Sequence, residues 1–465
     1  MKKIIITAAA ILTAFSINAN ISLPSIFGDH MVLQQNTDVT IWGWGKPNEE
    51  IKITTSWDPG KEYSVSVKNQ SAWSIDIQTP PPGGPYKIIL KGNNTIEIKD
   101  ILIGEVWLGS GQSNMEWAAS MNINNAEEEK NNANFPEIRF YTSLTSTADT
   151  PQQLQTGKWV VCTPENMWNF SALMYFFGRE LHQKLKVPVG LVHSSWGGTP
   201  IEVWIPEPII RNDRWLNKNA NKLEPVQWGP HEPGKAYNAM IHPLIPFKIK
   251  GVLWYQGEAN VNHPFQYAHA LKTLIHSWRA LWGYDFSFYY AQIAPWNGYG
   301  KNNVRGAIIR DQQRKVLDLT ANTGMIVTSD IGDLEDIHPG NKQDAGKRLA
   351  AWALHHDYSM KEITFSGPLY KSYEIEKNRI IIHFNYSEEG LVARDGKLKE
   401  FEILNDKGKW ISLEANIRGN IVELNTKSIK PPRAIRYGYR NNSNPNLFNE
   451  AGLPASCFEI VFNSR

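Results

Sequence analysis

The sequence predicts an α/β domain, built on a doubly wound parallel sheet, that is flanked on both sides by domains composed only of β-strands. Three observations indicate this organisation. Alternating β-type segments fill residues 20–100, apolar strand segments alternate with helical segments over residues 101–360, and short β-type segments return over residues 361–465. At roughly 150 residues per domain, a chain of 465 residues has the length for such an arrangement.

The first 19 residues have the pattern of a secretory signal peptide. Two lysines precede an apolar run over residues 4–17, and Ala19 provides a small residue for cleavage before Asn20. The run is too short for a stable transmembrane anchor. We therefore expect an exported protein, periplasmic or extracellular, that has no membrane anchor and whose mature chain begins near Asn20.

Residues 20–100 are predicted to form a small β-sandwich or jelly roll. Five segments of this region alternate in polarity or are rich in β-branched residues, namely residues 39–44, 51–55, 63–67, 73–77 and 86–90. Turn sequences rich in Pro and Gly separate several of them, including Asp58-Pro-Gly60 and Pro80-Pro-Pro-Gly-Gly-Pro85.

Residues 101–360 combine apolar strand segments with amphipathic helices, as expected of a parallel sheet. Five strands are predicted, at residues 101–108, 189–195, 249–255, 286–293 and 325–329. The helices that follow or precede them are predicted at residues 175–185, 267–282, 304–319 and 342–356. The first of these helices places Phe177, Leu181 and Leu185 at intervals of four residues, which gives one apolar face.

Residues 361–465 are predicted to form the second all-β domain, because short strand-like segments beginning at Arg379, Lys399, Asn420 and Ala434 are separated by turns. The chain contains 2 cysteines, Cys162 and Cys457, which lie far apart in this organisation. Two buried free thiols are therefore predicted, with a disulfide as the alternative that an exported protein permits.

The composition excludes several classes of protein. A hydrophobic fraction of 42% and a charged fraction of 20% are those of a folded globular chain. The 48 Lys and Arg balance 46 Asp and Glu, and cleavage after Ala19 removes two lysines, so no nucleic-acid partner is expected. The 18 tryptophans fit either aromatic β-domain cores or a surface on which sugar rings stack.

Ligands of an open parallel sheet bind beyond the carboxyl ends of its strands. Four of the predicted strands lead into polar segments that contain glycine, namely residues 109–117, 194–199, 254–260 and 330–339. Because the carboxyl ends of parallel strands lie at one edge, we expect these four segments to converge on a single site.

The four segments together contain the parts of a serine hydrolase. Ser113 follows a strand and a Gly-rich turn, where its hydroxyl is exposed, and His338 is the natural base for it. A backbone N–H at Ser113, another at Gly198 and the side-chain amide of Asn260 are predicted to stabilise an oxyanion. Taken singly, each of these residues also has an ordinary structural role, as a helix cap, a loop histidine or a turn residue.

Other catalytic patterns fit the chain poorly. A Gly-x-Ser-x-Gly elbow requires glycine where the chain has Met115. The sequence also contains no phosphate-binding Gly-x4-Gly-Lys-Ser/Thr loop and no His-Glu-x-x-His zinc motif. We therefore predict that the protein uses no metal and no nucleotide cofactor.

Three motifs resemble those of the sialate O-acetylesterase family of SGNH hydrolases, namely Gly111-Gln-Ser-Asn-Met115, Trp254-Tyr-Gln-Gly-Glu-Ala-Asn260 and Asp336-Ile-His-Pro339. The segments 23–34 and 446–454 resemble the family's beginning and end, so the resemblance extends over nearly the whole mature chain. It implies a five-stranded, flavodoxin-like catalytic domain between β-domains, and the removal of acetyl esters from sugars, in particular from sialic acids.

The acid that orients His338 is the least certain part of the predicted site. Many SGNH enzymes carry Asp three residues before the histidine, where this chain has Glu335. We favour Asp336, which matches the pattern of similar bacterial sequences. Glu258, at the end of the third strand, is the next candidate, and Glu335 follows. A Ser–His dyad, or another acid such as Asp330 or Asp333, is the remaining alternative.

One arginine, Arg310, is predicted to lie near the substrate or to order the cleft. Arg310 and Gln313 lie one helical turn apart, and similar proteins carry Arg-x-x-Gln at this place. The carboxylate of a sialic acid favours the two-pronged guanidinium of arginine. The alternative is that Arg310 pairs with a carboxylate on the protein surface.

The sequence thus predicts an exported carbohydrate esterase that hydrolyses O-acetyl esters of sialic acids through a serine acyl-enzyme. An acetylesterase of other glycans, such as acetylxylan, is the first alternative. The second is a noncatalytic glycan-binding protein, in which the β-domains and the tryptophans do the binding. The expected partner is an acetylated glycan, and the oligomeric state is left open.

Overall fold

The computed structural model describes residues 20–301, 303–427, 429 and 432–462. The signal peptide predicted for residues 1–19 lies outside this part of the chain. The described residues form two hydrophobic cores. One core runs from Ile21 to Leu369 and is shared by the N-terminal and central regions, and the other runs from Ile380 to Phe458 within the C-terminal region.

The N-terminal region is a β-sandwich. Its strands are β1 (Val32–Gln34), β2 (Asp38–Trp44), β3 (Glu50–Thr55), β4 (Glu62–Ser66), β5 (Ala72–Gln78), β6 (Gly83–Lys91) and β7 (Thr95–Gly111). Strands β2 and β5 pair with each other, while β3 joins β4 on one side and β6 on the other. All five predicted strand segments of this region are confirmed, and alternate residues of β2 and β3 are buried as their polarity pattern indicates.

Strand β7 passes without interruption from the sandwich into the central sheet. Its first residues pair antiparallel with β6. Its last residues lie between two strands that come later in the chain, β10 (Val189–Ser195) and β11 (Gly251–Tyr255). The predicted boundary at residue 100 therefore falls inside one strand. From Ile101 to Gly111 every residue of β7 is buried, because both faces of the sheet are covered there.

The central sheet is larger than predicted. Its remaining strands are β8 (Phe135–Ser143), β9 (Gly157–Cys162), β12 (Ser287–Ala291) and β13 (Thr323–Ile326). The order is β13-β12-β11-β7-β10-β8-β9, in which all strands are parallel except β9. The five predicted strands are present, but β8 and β9 extend the sheet, so the five-stranded description was incomplete. Pro136, Glu137 and Arg139 in β8 break the apolar pattern by which the other strands were found.

Helices cover the central sheet on both faces. The helices are α1 (Ser113–Glu116), α2 (Ala126–Asn131), α3 (Pro164–Trp168), α4 (Ala172–Leu185), α5 (Glu207–Asn212), α6 (Arg214–Ala220), α7 (Tyr267–Trp282), α8 (Arg305–Leu319) and α9 (Lys342–His356). Trp107 packs against Phe177 of α4, whereas Trp254 packs against Trp278 of α7. Trp254 is the register partner of Ser110, three residues from Trp107, so the two tryptophans point to opposite faces. The four predicted helices correspond to α4, α7, α8 and α9.

The C-terminal region is the second all-β domain. Its strands are β14 (Leu369–Glu376), β15 (Arg379–Asn385), β16 (Leu391–Ala393), β17 (Phe401–Leu404), β18 (Trp410–Ser412), β19 (Ala415–Arg418), β20 (Ile421–Asn425), β21 (Ala434–Tyr437), β22 (Leu447–Asn449) and β23 (Phe458–Val461). Cys162 and Cys457 are buried free thiols, as predicted. Within the described part of the chain, no helix combines the length and the apolar character needed to cross a membrane.

Candidate active site

The turn between β7 and α1 places Ser113 at the carboxyl edge of the central sheet. The chain leaves β7 toward β10 on one side and later returns to β11 on the other, so Ser113 lies at the point where the strand order reverses. Gly111 has φ of +132°, and a Cβ atom there would lie 2.2 Å from the carbonyl oxygen of Tyr255. Only glycine fits this turn, because both the backbone angle and the close carbonyl exclude a side chain.

The predicted nucleophile and base are in contact. The Ser113 Oγ and the His338 Nε2 are 2.8 Å apart, although the two residues are separated by 225 positions in the sequence. His338 lies in the loop between β13 and α9, and its imidazole stacks on the Trp117 ring with 3.9 Å between ring centroids and 11° between planes. The stacked indole fixes the plane of the imidazole. It covers only the face of the imidazole ring, so both ring nitrogens stay free to form hydrogen bonds.

The surroundings of His338 favour a neutral imidazole, which is the form that accepts a proton. Partial burial lowers the pKa of His338 below its ordinary value, and the nearby Lys342 ammonium lowers this pKa further. Asp336 acts in the opposite direction, since its carboxylate favours the protonated ring.

Asp336 is the carboxylate that faces the far nitrogen of the histidine, at a long distance. Its Oδ1 is 3.7 Å from the His338 Nδ1, beyond hydrogen-bond range, and 56% of its side chain is exposed. The same Oδ1 accepts the backbone N–H of His338 at 2.8 Å. Asp336 thus shapes the loop and supplies a screened negative charge.

The neighbouring acids are occupied elsewhere. Glu335 Oε1 accepts a hydrogen bond of 2.6 Å from Asn297, and Asp330 forms an ion pair with Arg348 at 2.7 Å. Neither carboxylate contacts His338 in the described structure. The orienting role of Asp336 stays a prediction, and among the acids close to His338 in sequence it has the geometry that fits best.

Glu258 lies on the buried side of Ser113. Its side chain is largely buried, and Asn114 Nδ2 donates to its Oε1 at 2.6 Å. Asn114 Oδ1 in turn accepts from Lys342 Nζ at 2.6 Å, which forms a chain of three buried polar side chains. Burial raises the pKa of Glu258 and lowers the pKa of Lys342 to about 7.

This Glu258–Asn114–Lys342 chain leaves one oxygen unused. The Oε2 of Glu258 is buried and has no hydrogen-bond partner among the described residues. Glu258 also lines the cavity that contains Ser113 and His338. An unpaired buried carboxylate oxygen at a cavity wall is suited to accept a hydrogen bond from a ligand hydroxyl.

Two backbone N–H groups are available beside Ser113 for a developing oxyanion. Within the described residues, the backbone nitrogens of Ser113 and Gly198 donate to no acceptor, whereas the Gly197 nitrogen donates to Glu116 Oε2 at 2.8 Å. Gly198 has φ of +73°, and a Cβ atom on it would lie 2.2 Å from Trp228 Nε1. Gly198 lines the same cavity as Ser113, and its role in stabilising an oxyanion stays a prediction.

Asn260 is not placed where its predicted role requires. Its side chain is 3% exposed and does not line the cavity that contains Ser113. Its Nδ2 donates to Glu202 Oε2 at 2.9 Å, and its Oδ1 accepts from the Ile201 nitrogen and from Gln256. We correct the expectation accordingly. Asn260 is a buried structural residue behind the site, because its amide forms hydrogen bonds with neighbouring loops.

Gln112 presents the amide that the sequence analysis missed. Its Oε1 accepts from the backbone nitrogens of Gly257 and Ala259, at 3.4 and 3.2 Å. This fixes the amide orientation and leaves Nε2, with no partner among the described residues, at the wall of the cavity. The signal was its position next to Ser113, which sequence reasoning treated only as a turn.

Arg310 does not bind at the site either. It is 2% exposed, and its Nη2 donates to the backbone carbonyls of Gly438 and Arg440 in the C-terminal domain. The prediction of a substrate-binding Arg310 is therefore wrong, and so is its alternative of a surface ion pair. Gln313, one turn further along α8, bonds the carbonyls of Gln256 and Ala291 at 3.1 and 3.2 Å and so holds two strand ends.

The catalytic cavity, defined by Ser113, His338 and the residues around them, has a volume of about 700 Å³. This lies within the usual range for small-molecule sites. Aromatic rings form much of its wall, namely Trp196, Trp228, Trp296 and Tyr299. Other tryptophans, such as Trp107 and Trp254, are buried in the core, so the expected aromatic core is present, whereas stacking of sugar rings on the cavity tryptophans stays a prediction. The described residues contain no cluster of three or more His, Cys, Asp or Glu side chains arranged to hold a metal ion.

Comparison with known proteins connects this site to one family. The family model of the sialic acid-specific acetylesterases, a group of carbohydrate esterases, matches residues 103–355, which is more than half of the chain. The sialate O-acetylesterase of Mus musculus is 30% identical, with 89% of this chain and 88% of that protein covered. The sialate O-acetylesterase of Homo sapiens is also 30% identical, with 84% and 82% covered.

A solved structure extends the similarity to the whole described architecture. A carbohydrate acetylesterase from Xanthomonas citri superposes with a TM-score of 0.86 at 32% sequence identity. The match covers 95% of this chain and 99% of that chain, so it includes both β-domains as well as the central sheet.

The first prediction separates the candidate acids. Asp336→Asn is expected to lower kcat by about 10- to 100-fold, less than the about 10⁴-fold of a buried triad acid, because Asp336 is half-exposed and 3.7 Å from the ring. Glu258→Gln is expected mainly to raise KM, since the unpaired oxygen faces the cavity. Glu335→Gln is the matched control. Steady-state kinetics of the folded variants identifies the acid that orients His338. A large loss of kcat in Glu258→Gln alone would assign this role to Glu258 and contradict the assignment to Asp336.

The second prediction concerns pH. A base must be unprotonated to act, so, with His338 as the predicted base, its lowered pKa is expected to keep the protein active below the ordinary imidazole value of 6.5. Lys342 carries charge below its pKa of about 7 and disfavours protonation of His338. Lys342→Met is therefore expected to raise the pKa of His338 and move the acidic limb of kcat/KM to higher pH.

Lys347→Met, on the exposed side of the same helix, is the control and should leave this limb in place. Thermal melts of both variants check that the fold is retained. An acidic limb that stays fixed or moves to lower pH in Lys342→Met contradicts the electrostatic coupling.

Proposed function

The chain belongs to the sialic acid-specific acetylesterase family of carbohydrate esterases, and from this premise we propose that it hydrolyses O-acetyl esters of sialic acids through a serine acyl-enzyme. The observation that carries the proposal is the 2.8 Å contact between Ser113 Oγ and His338 Nε2 at the carboxyl edge of the sheet. A serine beside a neutral imidazole is the pair that nucleophilic acyl transfer requires.

In the first half-reaction, Ser113 Oγ attacks the acetyl carbonyl while His338 Nε2 accepts the hydroxyl proton. The negative charge that develops on the carbonyl oxygen is stabilised by the N–H groups of Ser113 and Gly198, with the Gln112 amide as a third donor. A single such donor contributes on the order of 10²–10³ in rate. The intermediate then collapses, and the protonated His338 gives its proton to the departing sugar oxygen.

In the second half-reaction, water replaces the sugar as the group next to His338. The imidazole accepts a proton from this water, whose oxygen attacks the acetyl carbon bound to Ser113. Collapse of the second intermediate releases acetate and returns the proton from His338 to Ser113 Oγ. Trp117 supports both steps, because its stacked ring holds the imidazole in one plane.

A second candidate function is the deacetylation of other glycans, such as acetylxylan. Two observations favour it. The structural relative at 32% identity is described as a carbohydrate acetylesterase, without restriction to sialic acids. The aromatic wall of the catalytic cavity also suits the apolar faces of neutral sugars. A noncatalytic glycan-binding role is disfavoured by the paired Ser113 and His338.

The third prediction tests the serine mechanism and the substrate together. The wild-type protein is expected to release acetate from O-acetylated sialic acids faster than from acetylated xylan. Ser113→Ala is expected to lose activity on every ester while its melting curve and circular dichroism stay unchanged. Acetate release is measured on both substrates. Near-wild-type turnover by folded Ser113→Ala contradicts the mechanism, and a clear preference for xylan selects the second candidate function.

The fourth prediction concerns export. The basic and apolar pattern of the first residues supports cleavage after Ala19, so the mature chain is proposed to begin near Asn20 and to function outside the cytoplasm. Mass spectrometry of the protein from its native host is expected to give the shortened N-terminus. An intact Met1 in the cytoplasmic fraction contradicts export.

A further inference from the structure

A second cavity adjoins the catalytic cavity. It has a volume of about 470 Å³, and it shares the wall residues Gly198, Ala259, Asn262 and Arg305 with the catalytic cavity. Gly198 is also the residue whose N–H faces the reacting carbonyl in the proposed mechanism. The side of the substrate that lies near this glycine therefore has space beyond the catalytic cavity.

The walls of this second cavity are basic. Lysine, histidine and arginine side chains line it at Lys222, His231, His263 and Arg305, against a single carboxylate, that of Glu224. Over the described ranges, none of these four side chains takes part in an ion pair. The chain as a whole is nearly balanced, with 48 Lys and Arg against 46 Asp and Glu. Lys222 and Arg305 against the single carboxylate of Glu224 give this cavity a local excess of positive charge, and we call it the basic cavity.

Arg305 occupies the border between the two cavities. It is exposed at the first turn of α8, and its Nη1 donates to Asn262 Oδ1 at 3.3 Å. No carboxylate of the described residues neutralises it. Its guanidinium therefore retains most of its hydrogen-bond donors, in the forked geometry that matches a carboxylate.

We propose that the basic cavity binds the carboxylate of an acidic sugar, with Arg305 as the main ligand, while the acetyl ester of the same sugar lies at Ser113. This inference rests on the proposed function and narrows it. An anionic sugar gains an ion pair at Arg305 that a neutral glycan such as xylan cannot form. Lys222 adds to the positive potential, so discrimination between acidic and neutral substrates is expected to fall with added salt.

The fifth prediction uses one change in the substrate. An O-acetylated sialic acid and the methyl ester of its carboxylate differ in charge but present the same acetyl group. The wild-type enzyme is expected to cleave the free acid with about 10- to 100-fold higher kcat/KM than the methyl ester, which corresponds to a charge-assisted hydrogen-bond pair. The difference is expected in KM, because Arg305 does not contact the reacting atoms.

The matching change in the protein is Arg305→Gln. It is expected to lower kcat/KM for the free acid by about 10- to 100-fold and for the methyl ester by less than about fivefold. Arg305→Lys should restore part of the preference for the acid. Arg418→Gln is the control. It removes an arginine of the C-terminal domain whose side chain is 69% exposed, and it is expected to leave kcat/KM unchanged for both substrates.

The outcomes separate this inference from the proposed function. Equal cleavage of the free acid and its methyl ester by the wild type, or an equal loss on both in Arg305→Gln, overturns the role of the basic cavity while leaving the esterase function intact. A folded enzyme that cleaves p-nitrophenyl acetate through Ser113 but no acetylated sialic acid overturns both. Loss of the acid preference in Arg305→Gln alone, with partial recovery in Arg305→Lys, supports the inference.

Discussion

The close approach of Gly111 to the Tyr255 carbonyl is the constraint on which the site depends. A Cβ atom would lie 2.2 Å from that oxygen, so strands β7 and β11 meet at this point only because position 111 has no side chain. The next residue forms a hydrogen bond with the same carbonyl, because the backbone nitrogen of Gln112 donates to the Tyr255 oxygen at 2.9 Å. Ser113 is consequently fixed to the rigid sheet, and His338, which comes from a longer loop, is held against it by Trp117.

The two sides of Ser113 have different dielectric surroundings, and this difference distributes the roles of the acids. Asp336 is half-exposed, so water screens its charge and its effect on His338 is modest. Glu258, Asn114 and Lys342 are buried, and an uncompensated charge among them would cost far more. The chain of hydrogen bonds through Asn114 allows Glu258 and Lys342 to stabilise each other without direct contact. The exposed Asp336 raises the pKa of His338, whereas the buried Lys342 lowers it, so the two sides of the site have opposite effects on this pKa.

The sequence predicted those features that depend on local periodicity and on a general rule of parallel sheets. Strand segments such as Val189–Ser195 begin with an apolar run and are buried along their whole length, and the rule that ligands bind at carboxyl ends brings Ser113, Gly198 and His338 together. Asn260 and Arg310 were misassigned because the direction of a side chain depends on tertiary packing: one amide turned toward Glu202 and one guanidinium toward backbone carbonyls of another domain. Strand β8 escaped notice because its proline and charges interrupt the apolar pattern. The basic cavity had no signal in the sequence, since its residues come from separate parts of the chain and include Arg305 in the first turn of α8.

Helix α8 explains why two arginines five residues apart have unrelated roles. At 3.6 residues per turn, five residues correspond to a rotation of about 140°, so Arg305 and Arg310 point in nearly opposite directions. Arg310 enters the C-terminal domain, where Gly438 and Arg440 accept its hydrogen bonds. The same domain fixes the beginning of the helix, because Asn441 Oδ1 accepts the Gly306 nitrogen at 2.8 Å, one residue after Arg305. In the proposal made above, the C-terminal domain contributes to substrate recognition without lining either cavity, because its contacts set the position and rotation of the helix that carries Arg305.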